Sequence, residues 1–183
     1  MKRSTLPFLS KSFLALTLAV TVAACSEDEG EVTPLTLPEL GACAATLQVS
    51  DSLELVSHLF ATGVQIYRWN DTAWVQVSPS ATLFSDEAEH HAVAIHYSGP
   101  TWEGLAGSKV VGAVLDKCTP DANAIPWLVL SGVSDGEAGP FQGVTRIQRV
   151  NTTGGKAPAK AGDNVGQVVS VPYTTEYFFY APR

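Results

Sequence analysis

Residues 64–77 read VQIYRWNDTAWVQV, and this stretch decides the fold class. Aromatic and β-branched residues are frequent on both sides of Asn70, Asp71 and Thr72, where polar residues favour a tight turn. The pattern predicts two antiparallel strands, residues 64–69 and 73–77, joined as a β-hairpin.

Similar short segments lie before and after this hairpin. Each is rich in β-branched, aromatic or aliphatic residues, and turn residues separate one from the next. They are residues 53–60, 92–98, 109–115, 127–133, 143–151 and 174–180. No long amphipathic helix interrupts them. About eight strands at this spacing predict an all-β fold, a single antiparallel β-sandwich or small β-barrel domain.

The amino terminus has the pattern of an export signal. A basic start is followed by the apolar run SFLALTLAVTVAA, residues 12–24, and then by Cys25. The run is shorter than the roughly 20 residues that span a bilayer. It is typical of a secretory signal, and the small residues before Cys25 resemble a bacterial lipobox. We therefore expect residues 1–24 to be a lipoprotein signal peptide and Cys25 to be lipidated. An ordinary secretory signal is the alternative.

The segment after Cys25 has the composition of a tether. Residues 25–40 contain an acidic run and two prolines, and they have few residues able to form a core. Docking of Leu35, Leu37 and Leu40 on the domain as an edge strand is the alternative. We expect residues 41–183 to form the all-β domain. With Ser26 after the lipidated cysteine, the pattern predicts a cell-envelope lipoprotein anchored in the outer membrane, on its periplasmic or surface face.

Cysteine usage agrees with export. Once Cys25 carries lipid, Cys43 and Cys118 remain, and two leftover cysteines in an exported protein most simply form one disulfide. No zinc, haem or CxxC spacing is present, so we expect no metal and no cofactor. The cluster DEAEHH, residues 86–91, is interpreted as a solvated acidic turn because adjacent loop ligands rarely converge on one ion.

Charge excludes one class of partner. The chain has 11 basic and 18 acidic residues, a net charge of −7. Lys2, Arg3 and Lys11 all precede Cys25, so the remainder is more acidic still. Such a surface repels phosphates, and we expect no nucleic acid partner. The partners we expect are the membrane, through the lipid anchor, and a small polar ligand or an envelope protein.

Six segments, in order, resemble the secreted family catalogued as domain of unknown function 3455. They are LFATGVQIYRW (59–69), HYSGPTWEG (96–104), GSKVVGAV (107–114), IPWLVL (125–130), IQRVNTTGGKAP (147–158) and VPYTTEYFFY (171–180). The resemblance covers about residues 53–180 and implies no established activity. Relatives often have a cysteine where Trp69 stands and another after the NTTGG-like turn. This chain has neither, which leaves Cys43 and Cys118 as the substitute pair.

Two segments carry the candidate binding residues. Residues 143–151 (GVTRIQRVN) have no cleanly apolar face, and such violations of patterning tend to fall at functional positions. Residues 96–103 add aromatic and ionisable side chains. We expect one polar-aromatic pocket for a ligand, in which Trp offers an apolar plate and Arg and Glu offer charged hydrogen bonds. Its residues would be His96, Trp102, Glu103, Gln148, Arg149 and Asn151. A structural Arg149–Glu103 ion pair is the alternative.

Three functional hypotheses follow from these residues. The first is a non-enzymatic lipoprotein that binds a small polar ligand, a glycan or a partner protein. The second is a hydrolase-type enzyme with His96 and Glu103 as an acid–base pair. The third is a structural module of the envelope. Because no nucleophile elbow, HExxH motif or P-loop occurs in the chain, we prefer the binding role to an enzyme.

Overall fold

A computed structural model describes Met1 and residues 35–183, so the predicted signal peptide and Cys25 lie outside the described residues. Eight antiparallel strands follow one another around a closed barrel, and the last pairs with the first. No helix among the described residues is long and apolar enough to cross a membrane. The strands are β1 (Leu53–Trp69), β2 (Trp74–Phe84), β3 (Ala92–Tyr97), β4 (Thr101–Gly104), β5 (Lys109–Cys118), β6 (Trp127–Ser134), β7 (Arg146–Gly154) and β8 (Val168–Pro182). The all-β prediction is confirmed, in its barrel form.

The predicted hairpin is present at the junction of β1 and β2. Trp69 pairs with Trp74, and the Asn70 side-chain oxygen accepts hydrogen bonds from the backbone N–H groups of Thr72 and Ala73, at 3.0 and 2.8 Å. Asp71 occupies the left-handed region, with φ 84°. The short side chain of Asn70 therefore supplies the hydrogen bonds of the turn, as the polar triplet in the sequence indicated.

The predicted set of strands differs from the structure in two places, and in addition β2 and β8 are longer than predicted and β7 begins three residues later. Residues 53–60 and 64–69 belong to one 17-residue strand, β1. Gly63 does not end a strand; it permits close approach to β2, because a Cβ at this position would overlap the carbonyl of Ser80. The four-residue strand β4, Thr101–Gly104, has no counterpart in the prediction. The two differences offset each other, so the predicted number of strands equals the observed number.

The barrel interior is filled at one end, whereas the other end is packed in part and leaves a cavity. Alternate residues of the strands point inward, as the period of a β-strand requires. A cluster of fully buried side chains fills the end that carries the β6–β7 connection; it includes Leu83, Phe141, Val144, Ile147 and Phe179. We call this the closed end. The opposite end, formed by the connections at residues 70–73, 98–100, 119–126 and 155–167, is called the open end.

The segment before β1 covers part of the barrel's outer face. A 3-10 turn (Gly41–Cys43) leads into one short helix, α1 (Ala44–Leu47). Leu47 is fully buried, and Leu40 packs against clusters on the outer face. Residues 35–40 form no strand, so the edge-strand alternative is wrong, although Leu40 does dock. This segment therefore covers the outward-facing side of β7, so that both faces of this strand are covered by protein.

A disulfide ties this segment to the barrel. Cys43 and Cys118 are bonded, with Cα atoms 5.8 Å apart and a sequence separation of 75 residues, so the predicted disulfide is confirmed. Cys118 is the last residue of β5, and Cys43 is buried beside Val129. The bond therefore fixes α1 and the end of β5 together.

Replacing both cysteines by serine should lower the free energy of unfolding. Loop-closure entropy for a loop of this length predicts a loss of up to about 4 kcal/mol, and roughly 2 kcal/mol is a reasonable lower bound. Urea denaturation of the oxidised protein and the C43S/C118S variant measures the difference. Reduced wild-type protein is the control and should behave like the variant. Equal stability of all three would show that the disulfide contributes nothing to folding.

Candidate functional site

The open end of the barrel contains a cavity of about 510 Å³. This volume is within the range of small-molecule sites. Its wall consists of apolar side chains and a few polar ones. Val114 and Lys117 lie at its solvent-exposed edge. We call it the lumen cavity. An eight-stranded barrel is just wide enough either to be filled by side chains or to hold one small ligand. In this barrel, side chains fill the closed end, and a second buried cluster that includes Ile125 and Tyr173 fills part of the open end beside the cavity.

Small residues of β5 make room for the indole that forms the cavity's floor. Trp102, on β4, is fully buried and borders the lumen cavity. A Cβ on Gly112 would lie 2.9 Å from the Trp102 ring, so only glycine leaves space for the ring at this position. Trp102 also packs edge-on against Tyr177, with ring centroids 5.3 Å apart.

His96 is a buried, neutral member of the cavity wall. Its Nδ1 donates a hydrogen bond to the carbonyl of Thr101 at 2.8 Å, since a carbonyl can only accept. The ring stacks on Trp102 at 4.4 Å and 14°. Burial, aided by the positive charge of Arg149, lowers the pKa of His96 to about 4. At neutral pH the imidazole therefore carries its proton on Nδ1, and Nε2 is an acceptor without a hydrogen-bond partner in the described chain.

Two polar atoms of the cavity wall are buried without a partner. The Tyr177 hydroxyl and the Trp102 indole Nε1 make no hydrogen bond within the described residues. Burial raises the pKa of Tyr177, so the hydroxyl keeps its proton. A buried donor left unpaired costs about 1–3 kcal/mol, and native proteins have few of them. Both residues border the cavity, so buried polar groups in need of a partner lie beside it.

Positive charge at the cavity comes from Arg149 and Lys117. The Arg149 Nε and Nη2 atoms donate to the Pro126 carbonyl, at 3.3 and 2.8 Å. Within residues 35–183, no carboxylate lies within 4 Å of the Arg149 guanidinium, so the predicted alternative of an Arg149–Glu103 ion pair is wrong. No Asp or Glu belongs to the part of the wall that the structure describes.

Three of the six predicted site residues meet in this cavity: His96, Trp102 and Arg149. The other three do not. Glu103 follows Trp102 directly in β4, so its side chain points to the outer face. There its carboxylate accepts a 2.5 Å hydrogen bond from Tyr97 and lies 3.4 Å from Lys109. His96 and Glu103 are therefore on opposite faces of the sheet and cannot act on one bound group.

Gln148 and Asn151 are likewise outside the lumen. Gln148 alternates with Arg149 in β7, and its amide lies under α1, where it donates to the Leu47 carbonyl at 2.6 Å and accepts from Tyr180 at 2.5 Å. Asn151 is exposed and donates to Glu176 at 2.7 Å. The prediction of one pocket for all six residues was wrong for two reasons. Glu103 and Gln148 face the opposite side of the sheet from their neighbours Trp102 and Arg149. Asn151 lies at an irregularity of β7, where its φ is 52° and the register with β8 shifts.

The sequence interpretation missed several residues of the wall, above all Tyr177. A signal was present in VPYTTEYFFY, where Tyr173, Thr175 and Tyr177 share one face of β8 with Phe179. Hydroxyl-bearing residues on an otherwise apolar inward face are what a polar cavity inside a barrel requires. Lys117, Pro126 and Leu128 gave no such signal because they come from strand ends.

A second, shallower depression of about 600 Å³ lies outside the barrel, between the segment before β1 and the outer face. Gln148 and Tyr180 border it, but both already hydrogen-bond each other. The acidic cluster at residues 86–91 is a turn in which Asp86 accepts hydrogen bonds from the backbone of His90 and His91, at 3.1 and 3.0 Å. Neither feature leaves unpartnered buried donors, so the lumen cavity is the better candidate.

Comparison with known proteins gives a family and no function. No curated protein matches the chain, and no solved structure matches it. The family described as "Protein of unknown function (DUF3455)" matches residues 49–181, from just before β1 into β8 and well over half of the sequence. The chain belongs to this family, whose matched region contains the whole wall of the lumen cavity.

Proposed function

We propose that this protein is a non-enzymatic lipoprotein of the bacterial cell envelope that binds a small molecule in the lumen cavity. The observation that carries the proposal is the cavity of about 510 Å³, which is bordered by two cations and by Tyr177 and Trp102, whose hydroxyl and indole N–H are buried without a partner. A ligand that reached these two donors would remove their desolvation cost on binding.

The shape of the site favours a small ligand over a glycan chain or a protein partner. The cavity lies at the open end of the barrel, and its wall combines residues of the closed ring of strands with residues of the 98–100 and 119–126 connections. A polymer or a protein surface would need a groove or an exposed face. Of the three partner classes expected from the sequence, the small polar ligand is the one that fits.

The chemistry of the wall favours binding over catalysis. The wall contains no thiol and no carboxylate among the described residues, and no hydroxyl there hydrogen-bonds His96. An activated nucleophile needs a base within hydrogen-bond reach. With Glu103 on the outer face, the acid–base pair of a hydrolase is not assembled.

Anchoring places this binding module in the envelope. The support is the lipobox-like sequence that ends at Cys25 and a disulfide of the kind exported proteins use. Two or more acyl chains hold a protein firmly on a membrane, whereas one binds marginally. The acidic segment that follows Cys25 would then set the barrel off the membrane surface.

Replacing Cys25 by serine should release the protein from the membrane. Without a diacylglycerol-bearing thiol, the chain lacks the anchor, and we expect loss of the protein from the membrane fraction and loss of lipid label. Fractionation and metabolic labelling with a palmitate analogue measure this. C43S/C118S, which leaves Cys25 in place, is the control and should stay labelled. Retention of the Cys25→Ser protein with the membranes would contradict lipid anchoring.

Blocking the cavity mouth should abolish ligand binding. Val114 and Val111 are exposed valines of the same strand, but only Val114 borders the cavity. A thermal-shift screen of the purified full chain against organic acids, sugars and amines would find a ligand. At 100 times its dissociation constant such a ligand stabilises by about 2.7 kcal/mol. The shift should vanish in V114W and persist in the matched control V111W. No shift with any class, or equal shifts in both variants, would overturn the lumen site.

Acidification should destabilise the protein through His96. Because its pKa in the folded protein is about 4, below the usual value near 6.5, the unfolded chain takes up this proton first as the pH falls. The stability contributed by the neutral ring is complete above pH 6.5 and is lost as the pH falls to 4, a decrease of roughly 3 kcal/mol. Urea denaturation at several pH values should show this slope in wild type and in H90Q, and a smaller one in H96Q. Identical slopes would contradict a buried neutral His96.

A further inference from the structure

We infer that the ligand of the lumen cavity is a small organic anion, whose charged group binds at Arg149 and Lys117 and whose flat apolar body lies against His96 and Trp102. The inference rests on the proposed function and specifies its ligand class. It is carried by the charges, the free donors and the aromatic surface of the cavity wall.

The sign of the charge is the first argument. The whole chain has a net charge of −7, yet both ionised side chains of the cavity wall are cations. The nearest outward-facing carboxylate on β4, that of Glu103, is occupied by Tyr97 and Lys109. The acidic residues of this chain are thus absent from the described part of the wall. The wall therefore repels cations and attracts anions.

The state of Arg149 is the second argument. A guanidinium stays protonated at any physiological pH, so a half-buried arginine without a carboxylate retains a charge in need of a counter-ion. Of its five N–H groups, two donate to the Pro126 carbonyl. The others have no hydrogen-bond partner within residues 35–183. Their planar fork fits the two oxygens of a carboxylate.

The remaining polar atoms agree with an anion that has an apolar part. The Tyr177 hydroxyl and the Trp102 N–H are both donors and suit acceptor oxygens. The stacked rings of His96 and Trp102 border the cavity as an aromatic pair, and Val114 and Leu128 extend this apolar part of the wall toward the solvent-exposed edge. Because His96 is neutral, this surface does not compete with Arg149 for the anionic group.

Three probes of one shape test the charge requirement. They are 1-naphthaleneacetate, its neutral amide and the cationic 1-naphthylethylamine, titrated calorimetrically into the purified full chain. The carboxylate should bind at least tenfold more tightly than the amide, and the amine should not bind. Inorganic phosphate, which lacks the apolar body, should bind at least tenfold more weakly than the carboxylate. Raising the salt concentration should weaken the carboxylate alone.

Variants assign the charge to the cavity. Lys117→Gln should weaken the carboxylate at least threefold without changing the amide, whereas K160Q removes an exposed lysine paired with Asp163 and should change neither. Arg149→Gln should remove the preference for the carboxylate over the amide, with folding checked by circular dichroism. If amide and carboxylate bind equally and V114W blocks both, the anion inference fails while the lumen site stands. The anion inference also fails, and the lumen site stands, if the naphthyl probes do not bind but a sugar or an amine in the thermal-shift screen does. If nothing binds at all, both fail.

Discussion

Pairing of β1 with β8 closes the sheet into a barrel with an enclosed interior. The two strands are in register from Leu53 opposite Pro182 to Arg68 opposite Val168, with one irregularity near Leu55. This long seam leaves no open edge and encloses every second side chain of all eight strands. Enclosure means that each inward residue packs against other inward residues, borders the lumen cavity, or does both. The candidate site is thus a consequence of how far the core extends along the barrel.

Enclosure also sets the electrostatics of the site. Away from water, charges and unpaired dipoles interact more strongly, and an unsatisfied group is correspondingly expensive. Burial makes His96 neutral and keeps the Tyr177 hydroxyl protonated. The wall then presents donors from Tyr177, Trp102 and Arg149, and one acceptor from His96. A site of this composition is suited to holding a ligand rich in oxygen acceptors.

The sequence predicted those features of the fold that have local causes. The hairpin follows from Asn70, whose side chain makes the turn bonds, and the disulfide follows from the two cysteines left after Cys25. It failed where the cause lies elsewhere in the chain. Gly63 resembled a turn residue, but its role is set by Ser80 on the neighbouring strand. No local pattern reports such a close approach.

Only half of the predicted site residues lie in the cavity, again because the cause lies elsewhere in the chain. Strand β7 does not alternate between apolar and polar residues because neither of its faces is open to solvent. One face points into the barrel interior, and the segment containing α1 covers the other. Polar residues on each face have separate partners: Gln148 donates to the Leu47 carbonyl on the outer face, and Arg149 donates to the Pro126 carbonyl on the inner one. The violation correctly marked the strand as unusual. Assigning its residues to one pocket required knowing that two layers, not one, pack against it.

The carbonyl that accepts from Arg149 is itself fixed, and this would lower the cost of binding at the proposed site. Pro126 ends the β5–β6 connection, which starts at the disulfide-bonded Cys118. One residue earlier, the Ile125 N–H donates to the Gly154 carbonyl at 2.9 Å, and the Ile125 carbonyl accepts from Thr152 at 2.6 Å. A guanidinium anchored to such a loop has little freedom to lose when a ligand arrives. The same disulfide that fastens the outer segment therefore helps preorganise the cation inside the barrel.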